Sequence, residues 1–195
     1  TSLANALAEG MRFDEARGRE LLERLLEVLD YLHGFSPPIL HRDIKPSNIM
    51  LRPDGRPVLI DFDTARLAAV DVSVADGTMV GTAGYVPLEQ LAGHPQPASD
   101  LYALGMTLVR VLTGREPTSL PLEGMRLQFR DVLHASPELT EALERMTEPD
   151  VTNRPASVED VRSLLAGTAL ARPAQTALAP ASTGADALLH QEVLV

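Results

Sequence analysis

The chain has 195 residues, of which 45% are hydrophobic and 23% charged, and its formal net charge is −10. This composition suits one globular domain, and the acidic balance argues against a nucleic-acid surface, because phosphate backbones are bound by clustered lysine and arginine. The chain has no cysteine, which excludes disulfides, thiolate zinc sites and thiol nucleophiles and fits a cytoplasmic location. No stretch is long and apolar enough to cross a membrane.

Helical patterns account for most of the chain. A short apolar helix is expected in TSLANALAEG, and leucines recur at helical spacing over residues 14 to 33, with Gly34 as a C-terminal stop. Residues 99 to 112 are apolar on almost every face, which predicts a buried central helix. Two further helices are expected over residues 136 to 146 and, after a capping box, from residue 157 to about residue 165.

The remaining segments predict a hairpin, a long loop and a tail. Between residues 39 and 60, short apolar pieces flank RPDGRP, which predicts a small β-hairpin. Residues 64 to 97 have few periodic apolar positions and predict a largely irregular segment, of a length that is usually functional or disordered. The Ala/Pro-rich composition of residues 167 to 195 predicts a linker or disordered tail. We therefore expect one folded domain over residues 1 to 166.

The octet HRDIKPSN, at residues 41 to 48, places three kinds of chemistry in one polar loop. Asp43 supplies a carboxylate that can accept a proton, Lys45 a cation that can neutralise phosphate charge, and Asn48 an amide oxygen that can ligate a hard metal. This trio suits phosphoryl transfer. The alternative is a plain turn in which the aspartate and asparagine bond to the local backbone.

A second acidic motif follows the apolar run VLI, where Asp61 and Asp63 flank a phenylalanine. Carboxylates that follow a strand in this way either hold a metal or form a solvated turn. Hard cations such as Mg²⁺ prefer oxygen ligands of this kind.

These motifs resemble the eukaryotic-type protein kinases, and most of all their bacterial serine/threonine members. The shared features are HRDxxxxN, a DF pair about a dozen residues later and then GTAGYVPLEQ. The resemblance covers residues 1 to 166 and implies an α+β, predominantly helical fold, the C-terminal lobe of a kinase. Its catalytic loop would span residues 41 to 48 and its activation segment residues 61 to 89. The implied function is transfer of the ATP γ-phosphate to serine or threonine hydroxyls of protein substrates.

The resemblance also implies a role for each site residue. Asp43 would orient the substrate hydroxyl and accept its proton, while Lys45 would balance charge on the transferred phosphoryl group. Asn48 and Asp61 would hold Mg²⁺, or Mn²⁺, against the phosphates of ATP. Met50 would form the floor under the adenine ring.

The chain departs from the family pattern at two places. Asp63 stands where the family usually has glycine, and aspartate is among the few other residues that tolerate a positive φ. Asp63 is therefore either a solvated turn acid or a third metal ligand. In VPLEQ the proline comes one place earlier than in the family's APE, but Glu89 remains and is expected to form a buried ion pair with Arg154.

Four further contacts are implied by the resemblance. Thr82 would hydrogen-bond toward Asp43 and Lys45. Thr78 would carry a regulatory phosphate, received by Arg42, unless it is an unmodified loop residue. Asp100 would bind the backbone amides near His41 and Arg42, in addition to the helix-cap role that its position at a helix start indicates without the resemblance. Phe62 would stack on His41.

Other sequence motifs of a working kinase are not found in the chain. Lys45 is its only lysine, so none remains for the strand lysine that contacts the α- and β-phosphates, and no glycine-rich loop precedes it. We expect the lower lobe of a kinase whose upper lobe lies upstream, poorly active alone, with apolar surface that the upper lobe would cover. The parent protein could also be tethered to a membrane through regions outside the chain.

Two other classes of function remain open. A pseudokinase or binding module would keep the fold as a scaffold, and the DFD sequence favours that interpretation. A small-molecule kinase of related fold is the third possibility, but GTAGYVPLEQ argues against it, because such a segment docks protein substrates.

Overall fold

The computed structural model describes residues 1–62, 66–67 and 84–168, and within them helices predominate. The helices are α1 (Leu3–Ala8), α2 (Glu15–His33), α3 (Leu88–Leu91), α4 (Pro97–Thr113), α5 (Pro137–Met146) and α6 (Val158–Leu165). The strands are β1 (Ile39–Leu40), β2 (Ile49–Leu51), β3 (Pro57–Leu59), β4 (Arg66–Leu67), β5 (Leu122–Glu123) and β6 (Arg126–Leu127). This confirms the predicted α+β, predominantly helical class. No helix in these residues combines the length and apolar character needed to cross a membrane.

Helix α2 follows the predicted leucine pattern, and one face of it is buried in the core. The Asp14 carboxylate accepts a hydrogen bond from the Arg17 N–H at 2.9 Å, which satisfies one of the free donors at the helix start. Gly34 follows the last helical residue, as predicted. The sequence therefore placed both ends of this helix correctly to within a residue.

Helix α4 is the central element of the fold. Twelve of its seventeen residues are buried, as the all-round apolar sequence predicted, and it packs against both α2 and α5. Gln96 and Ser99 form a capping box, and Pro97 occupies the first helical position, so the helix begins two residues before the predicted start. Gly114 ends it with a φ of +70°, a conformation that costs glycine little.

The last two helices also begin where their serines predicted. The Ser136 side chain accepts a hydrogen bond from the Leu139 N–H, and Ser157 forms a capping box with Asp160. Helices α5 and α6 pack on each other, and α5 packs on α4. The core thus lies among α2, α4, α5 and α6.

The described residues form three small antiparallel sheets beside this helical core. Strands β2 and β3 form the hairpin that RPDGRP predicted, with Met50 opposite Val58. Strand β1 pairs with β4 and β5 with β6, and neither pair was predicted, because two-residue strands show no periodicity. Strand β4 and helix α3 are short regular elements within the span predicted as largely irregular, much of which lies outside the described residues.

Two helical glycines differ in how closely their neighbours approach. A Cβ added at Gly105 in α4 would lie 2.9 Å from the Met146 Cβ and 3.1 Å from the Thr147 Cγ2, and a Cβ cannot move without its backbone. A Cβ added at Gly18 in α2 would lie 2.6 Å from the Leu112 Cδ2, the end of a flexible side chain. Of these two positions, only Gly105 requires a backbone shift to accommodate a Cβ.

We expect Gly105→Ala to lower the free energy of unfolding by about 1–3 kcal/mol, because overpacking between α4 and α5 outweighs the helix propensity of alanine. Gly18→Ala should change it less, since Leu112 can adopt another rotamer. Urea denaturation of both variants measures the difference. A Gly105→Ala protein as stable as the unmodified protein would contradict the close α4–α5 contact.

Candidate functional site

A buried carboxylate on α4 holds the start of the loop at residues 41 to 48. The Asp100 Oδ2 accepts a hydrogen bond from the His41 N–H at 2.9 Å, and its Oδ1 accepts one from the Arg42 N–H at 2.8 Å. The His33 Nε2 lies 3.0 Å from the same Oδ2. Asp100 is only 1% exposed, and these donors offset the cost of burying its charge.

Of the two roles expected for Asp100, which could have held together, the structure confirms one. Gln96 is the N-cap of α4, and Asp100 is the fourth helical residue, so the helix-cap interpretation is wrong. The predicted contact with the backbone amides of His41 and Arg42 is confirmed.

Asp43, Lys45 and Asn48 are brought together at one carboxylate oxygen. The Lys45 Nζ lies 2.8 Å from the Asp43 Oδ2, and the Asn48 Nδ2 donates to the same oxygen at 2.8 Å and to the Asp43 carbonyl at 2.9 Å. Both partners of Nδ2 are acceptors, which fixes the orientation of the Asn48 amide. Its Oδ1 is turned away from Asp43 and lies 3.4 Å from the Ser47 Oγ.

The β2–β3 hairpin places Asp61 beside this cluster. The Ile60 N–H donates to the Asn48 carbonyl at 2.9 Å, so Ile60 is paired with Asn48 across the hairpin. Asp61 is the next residue along the chain. Asp61 is exposed and has a φ of +68°, which aspartate tolerates better than most residues. The left-handed conformation considered for Asp63 is thus seen at Asp61. Asp63 itself lies outside the described residues.

His41 is a buried, neutral link between the loop and the hairpin. Burial lowers its pKa below the ordinary value of 6.5, although the Asp100 charge acts in the opposite direction. The His41 Nε2 donates to the Ile60 carbonyl at 3.1 Å, which leaves Nδ1 as an acceptor 3.4 Å from the Asp43 N–H. The predicted contact with Phe62 is confirmed as an edge-on packing, with ring centroids 4.8 Å apart.

The side chains near Asn48 suit a hard cation. Across residues 1–62, 66–67 and 84–168, no group of three or more histidine, aspartate and glutamate side chains could hold a metal. A site with only the Asn48 amide oxygen and the Asp61 carboxylate as protein ligands is typical of Mg²⁺, which completes its shell with substrate phosphates and water. The two residues therefore fit the predicted metal.

The other predicted site residues are less defined. Met50 lies in β2, partly exposed, and makes an isolated β-bridge to Ser2, so its contact with adenine stays a prediction. Thr78 and Thr82 lie outside the described residues.

The predicted ion pair between Glu89, at the end of the segment at residues 61 to 89, and Arg154 is confirmed. The Arg154 guanidinium contacts both Glu89 carboxylate oxygens, at 2.7 and 3.0 Å, and is fully buried. The Ser99 Oγ donates to Glu89 at 2.7 Å. Burial alone would raise the pKa of Glu89, but the bonds from Arg154 and Ser99 outweigh it, and the pKa is lowered. Helix α3 is thereby fixed to the body of the domain.

Two contacts near the site were missed by the sequence reasoning. The Gln90 Nε2 donates to the Arg42 carbonyl at 2.7 Å, and His33 contacts Asp100. These contacts join residues 48 and 67 positions apart, and no local pattern marks them.

Comparison with known proteins identifies the family. The family model for the protein kinase domain matches residues 1–168, so the chain belongs to the protein kinase family. It is 44% identical over 140 residues to the serine/threonine-protein kinase PknA of Nostoc sp., covering 67% of this chain and 24% of that protein. It is 39% identical over 153 residues to serine/threonine-protein kinase C of Synechocystis sp., covering 74% and 28%. The chain thus spans about a quarter of the length of these curated relatives.

A plant relative shows how widely the similarity extends. The calmodulin-binding receptor-like cytoplasmic kinase 2 of Arabidopsis thaliana is 42% identical over 117 residues, covering 57% of this chain and 28% of that protein.

The Asp100 contacts predict the effect of replacing it. In Asp100→Asn one oxygen becomes an NH₂ group that faces a backbone N–H, so a buried donor loses its acceptor. We expect the free energy of unfolding to fall by about 1–3 kcal/mol. Asp131→Asn is the matched control, because Asp131 is exposed, and it should stay within about 0.5 kcal/mol. Equal stability of both variants in chemical denaturation would show that the carboxylate does not hold the loop.

Proposed function

We propose that the protein transfers the γ-phosphoryl group of ATP to serine or threonine hydroxyls of protein substrates. One observation supports the proposal: the Asn48 Nδ2 donates to the Asp43 Oδ2, which leaves the Asn48 Oδ1 turned away from Asp43, and the bond from the Ile60 N–H to the Asn48 carbonyl brings the exposed Asp61 near the same loop. A carboxylate that would accept a proton and two side chains that would ligate a hard metal are thus brought together from residues 43, 48 and 61. The names of the bacterial relatives, serine/threonine-protein kinases, support the substrate class.

In this proposal Asp43 accepts the proton of the substrate hydroxyl. Its Oδ2 already receives Lys45 and Asn48, so we assign the proton to Oδ1. The Asp43 side chain is 11% exposed and the Lys45 side chain 21%, so both are reached from solvent but held by protein. The positive charge of Lys45, held 2.8 Å from Asp43, would balance charge on the transferred phosphoryl group.

Asn48 and Asp61 would hold Mg²⁺ or Mn²⁺ together with ATP, and Met50 would contact adenine. The bound metal would supply charge neutralisation at the phosphates. The residues of this chain orient the reacting groups, with Asp100 fixing the loop and the β2–β3 hairpin fixing Asp61. An upper lobe in the parent protein would complete the nucleotide site and cover the exposed Ile60 and Phe62. The use of ATP favours a cytoplasmic location.

A pseudokinase or binding module is the rival function, and the DFD sequence favours it. It predicts that nucleotide or protein binding persists without phosphate transfer. The contacts among Asp43, Lys45 and Asn48 argue for transfer, because a scaffold would have no need of this arrangement.

Transfer of labelled γ-phosphate from ATP to a generic protein substrate tests the proposal, using protein expressed from its native gene so that all flanking sequence is included. We expect Asp43→Asn to lower kcat roughly 100-fold or more, because general-base catalysis contributes that much. Asp131→Asn should be as active as the unmodified protein.

Three outcomes are distinguishable. Equal transfer by the Asp43→Asn and unmodified proteins would exclude Asp43 as proton acceptor. Binding of ATP without transfer by the unmodified protein would establish the binding module instead. Thermal unfolding of the variant at the temperature of the unmodified protein would show that lost activity is not lost fold.

A further inference from the structure

Gln90 directly follows the segment at residues 61 to 89. Its side chain contacts Arg42, the residue before Asp43. Gln90 lies in α3 and is half-buried, and its Nε2 donates to the Arg42 carbonyl at 2.7 Å. This distance is typical of a strong hydrogen bond. The contact therefore joins helix α3 to the loop that carries Asp43.

Arg42 has a backbone conformation that needs such support. Its φ is +69°, in the left-handed region that non-glycine residues rarely adopt. Conformations of this kind are strained and persist only where the surrounding structure determines them. Here the Arg42 N–H is held by Asp100 and the Arg42 carbonyl by Gln90, so the residue is fixed at both ends.

The Arg42 carbonyl belongs to the same peptide group as the Asp43 N–H. Because a peptide group is planar, fixing the direction of the carbonyl also fixes that of the N–H. The Asp43 N–H lies 3.4 Å from the His41 Nδ1, a weak contact that leaves Gln90 as the stronger restraint on this plane. Rotation of the plane would swing the Asp43 side chain.

Gln90 is itself held in place. Its neighbour Glu89 is bonded to Arg154 and Ser99, which anchors α3 to the core. The Gln90 amide thus connects the Arg42–Asp43 peptide group to a helix that is fixed to the core.

We propose that Gln90 is a positioning residue for phosphate transfer: its amide aligns the Arg42–Asp43 peptide, and with it the Asp43 carboxylate, against the substrate hydroxyl. This inference rests on the proposed function. The backbone of Asn48, one of the two proposed metal ligands, is held by the bond from the Ile60 N–H, and its side chain contacts Asp43 but not Gln90. Loss of the Gln90 amide should therefore lower kcat more than it changes the KM for ATP.

Three substitutions separate the hydrogen bond from bulk and packing. Gln90→Leu removes the donor at similar size, and Gln90→Glu places a carboxylate against the Arg42 carbonyl. Gln90→Lys restores a donor on a flexible chain. Gln128→Leu is the matched control, because the Gln128 Nε2 also donates to an arginine carbonyl, that of Arg126 at 3.4 Å, away from the site.

We expect Gln90→Leu and Gln90→Glu to lower kcat about tenfold, the equivalent of one hydrogen bond, with the KM for ATP within about twofold. Gln90→Lys should recover most of the activity, and Gln128→Leu should match the unmodified protein. Unchanged kcat in Gln90→Leu would overturn the proposal. So would a loss that Gln90→Lys does not rescue, since it would indicate a packing role.

Hydrogen exchange gives a readout that does not depend on phosphate transfer. Peptides covering residues 41 to 48 should exchange faster in Gln90→Leu than in the unmodified protein, and at the unmodified rate in Gln128→Leu. Unchanged exchange would overturn the positioning role. An unmodified protein that transfers no phosphate but shows the expected exchange would instead remove the proposed function and leave the structural link intact.

Discussion

The site depends on one buried interaction, the hydrogen bonds from the backbone of His41 and Arg42 to Asp100. Asp100 projects from α4, which is surrounded by the other helices, so the carboxylate is as fixed as the core itself. Burial strengthens these bonds and makes their loss costly. The loop that carries Asp43 and Asn48 is therefore positioned by the central helix.

A second constraint comes from the pairing of β2 with β3. The register of this hairpin, continued by the bond from the Ile60 N–H to the Asn48 carbonyl, places Asp61 beside Asn48. Both residues with a positive φ other than glycine in the described part of the chain, Arg42 and Asp61, belong to this site. Backbone strain concentrates where surrounding structure over-determines it, and such places are typical of functional sites.

The sequence predicted the elements that local signals control. Helices α2 and α4 followed from periodicity and end residues, and the Glu89–Arg154 pair followed from the family resemblance. The contacts of His33 with Asp100 and of Gln90 with Arg42 were not predicted. Each joins residues far apart along the chain, and no local pattern marks such pairs. Asp100 was expected both as a helix cap and as an anchor for the loop, since an acid near a helix start suits both, and only the position of the true cap, Gln96, excludes the first.

The convergence of the loop and the hairpin on one metal–nucleotide site is tested most directly by electron paramagnetic resonance of Mn²⁺. The metal would be added with a non-hydrolysable ATP analogue to the unmodified protein and to Asn48→Ala, Asp61→Ala and Asp131→Asn. Loss of either proposed ligand should weaken Mn²⁺ binding roughly tenfold or more, while Asp131→Asn should bind as the unmodified protein does. Unchanged Mn²⁺ affinity and spectra in both Asn48→Ala and Asp61→Ala would contradict a shared metal site.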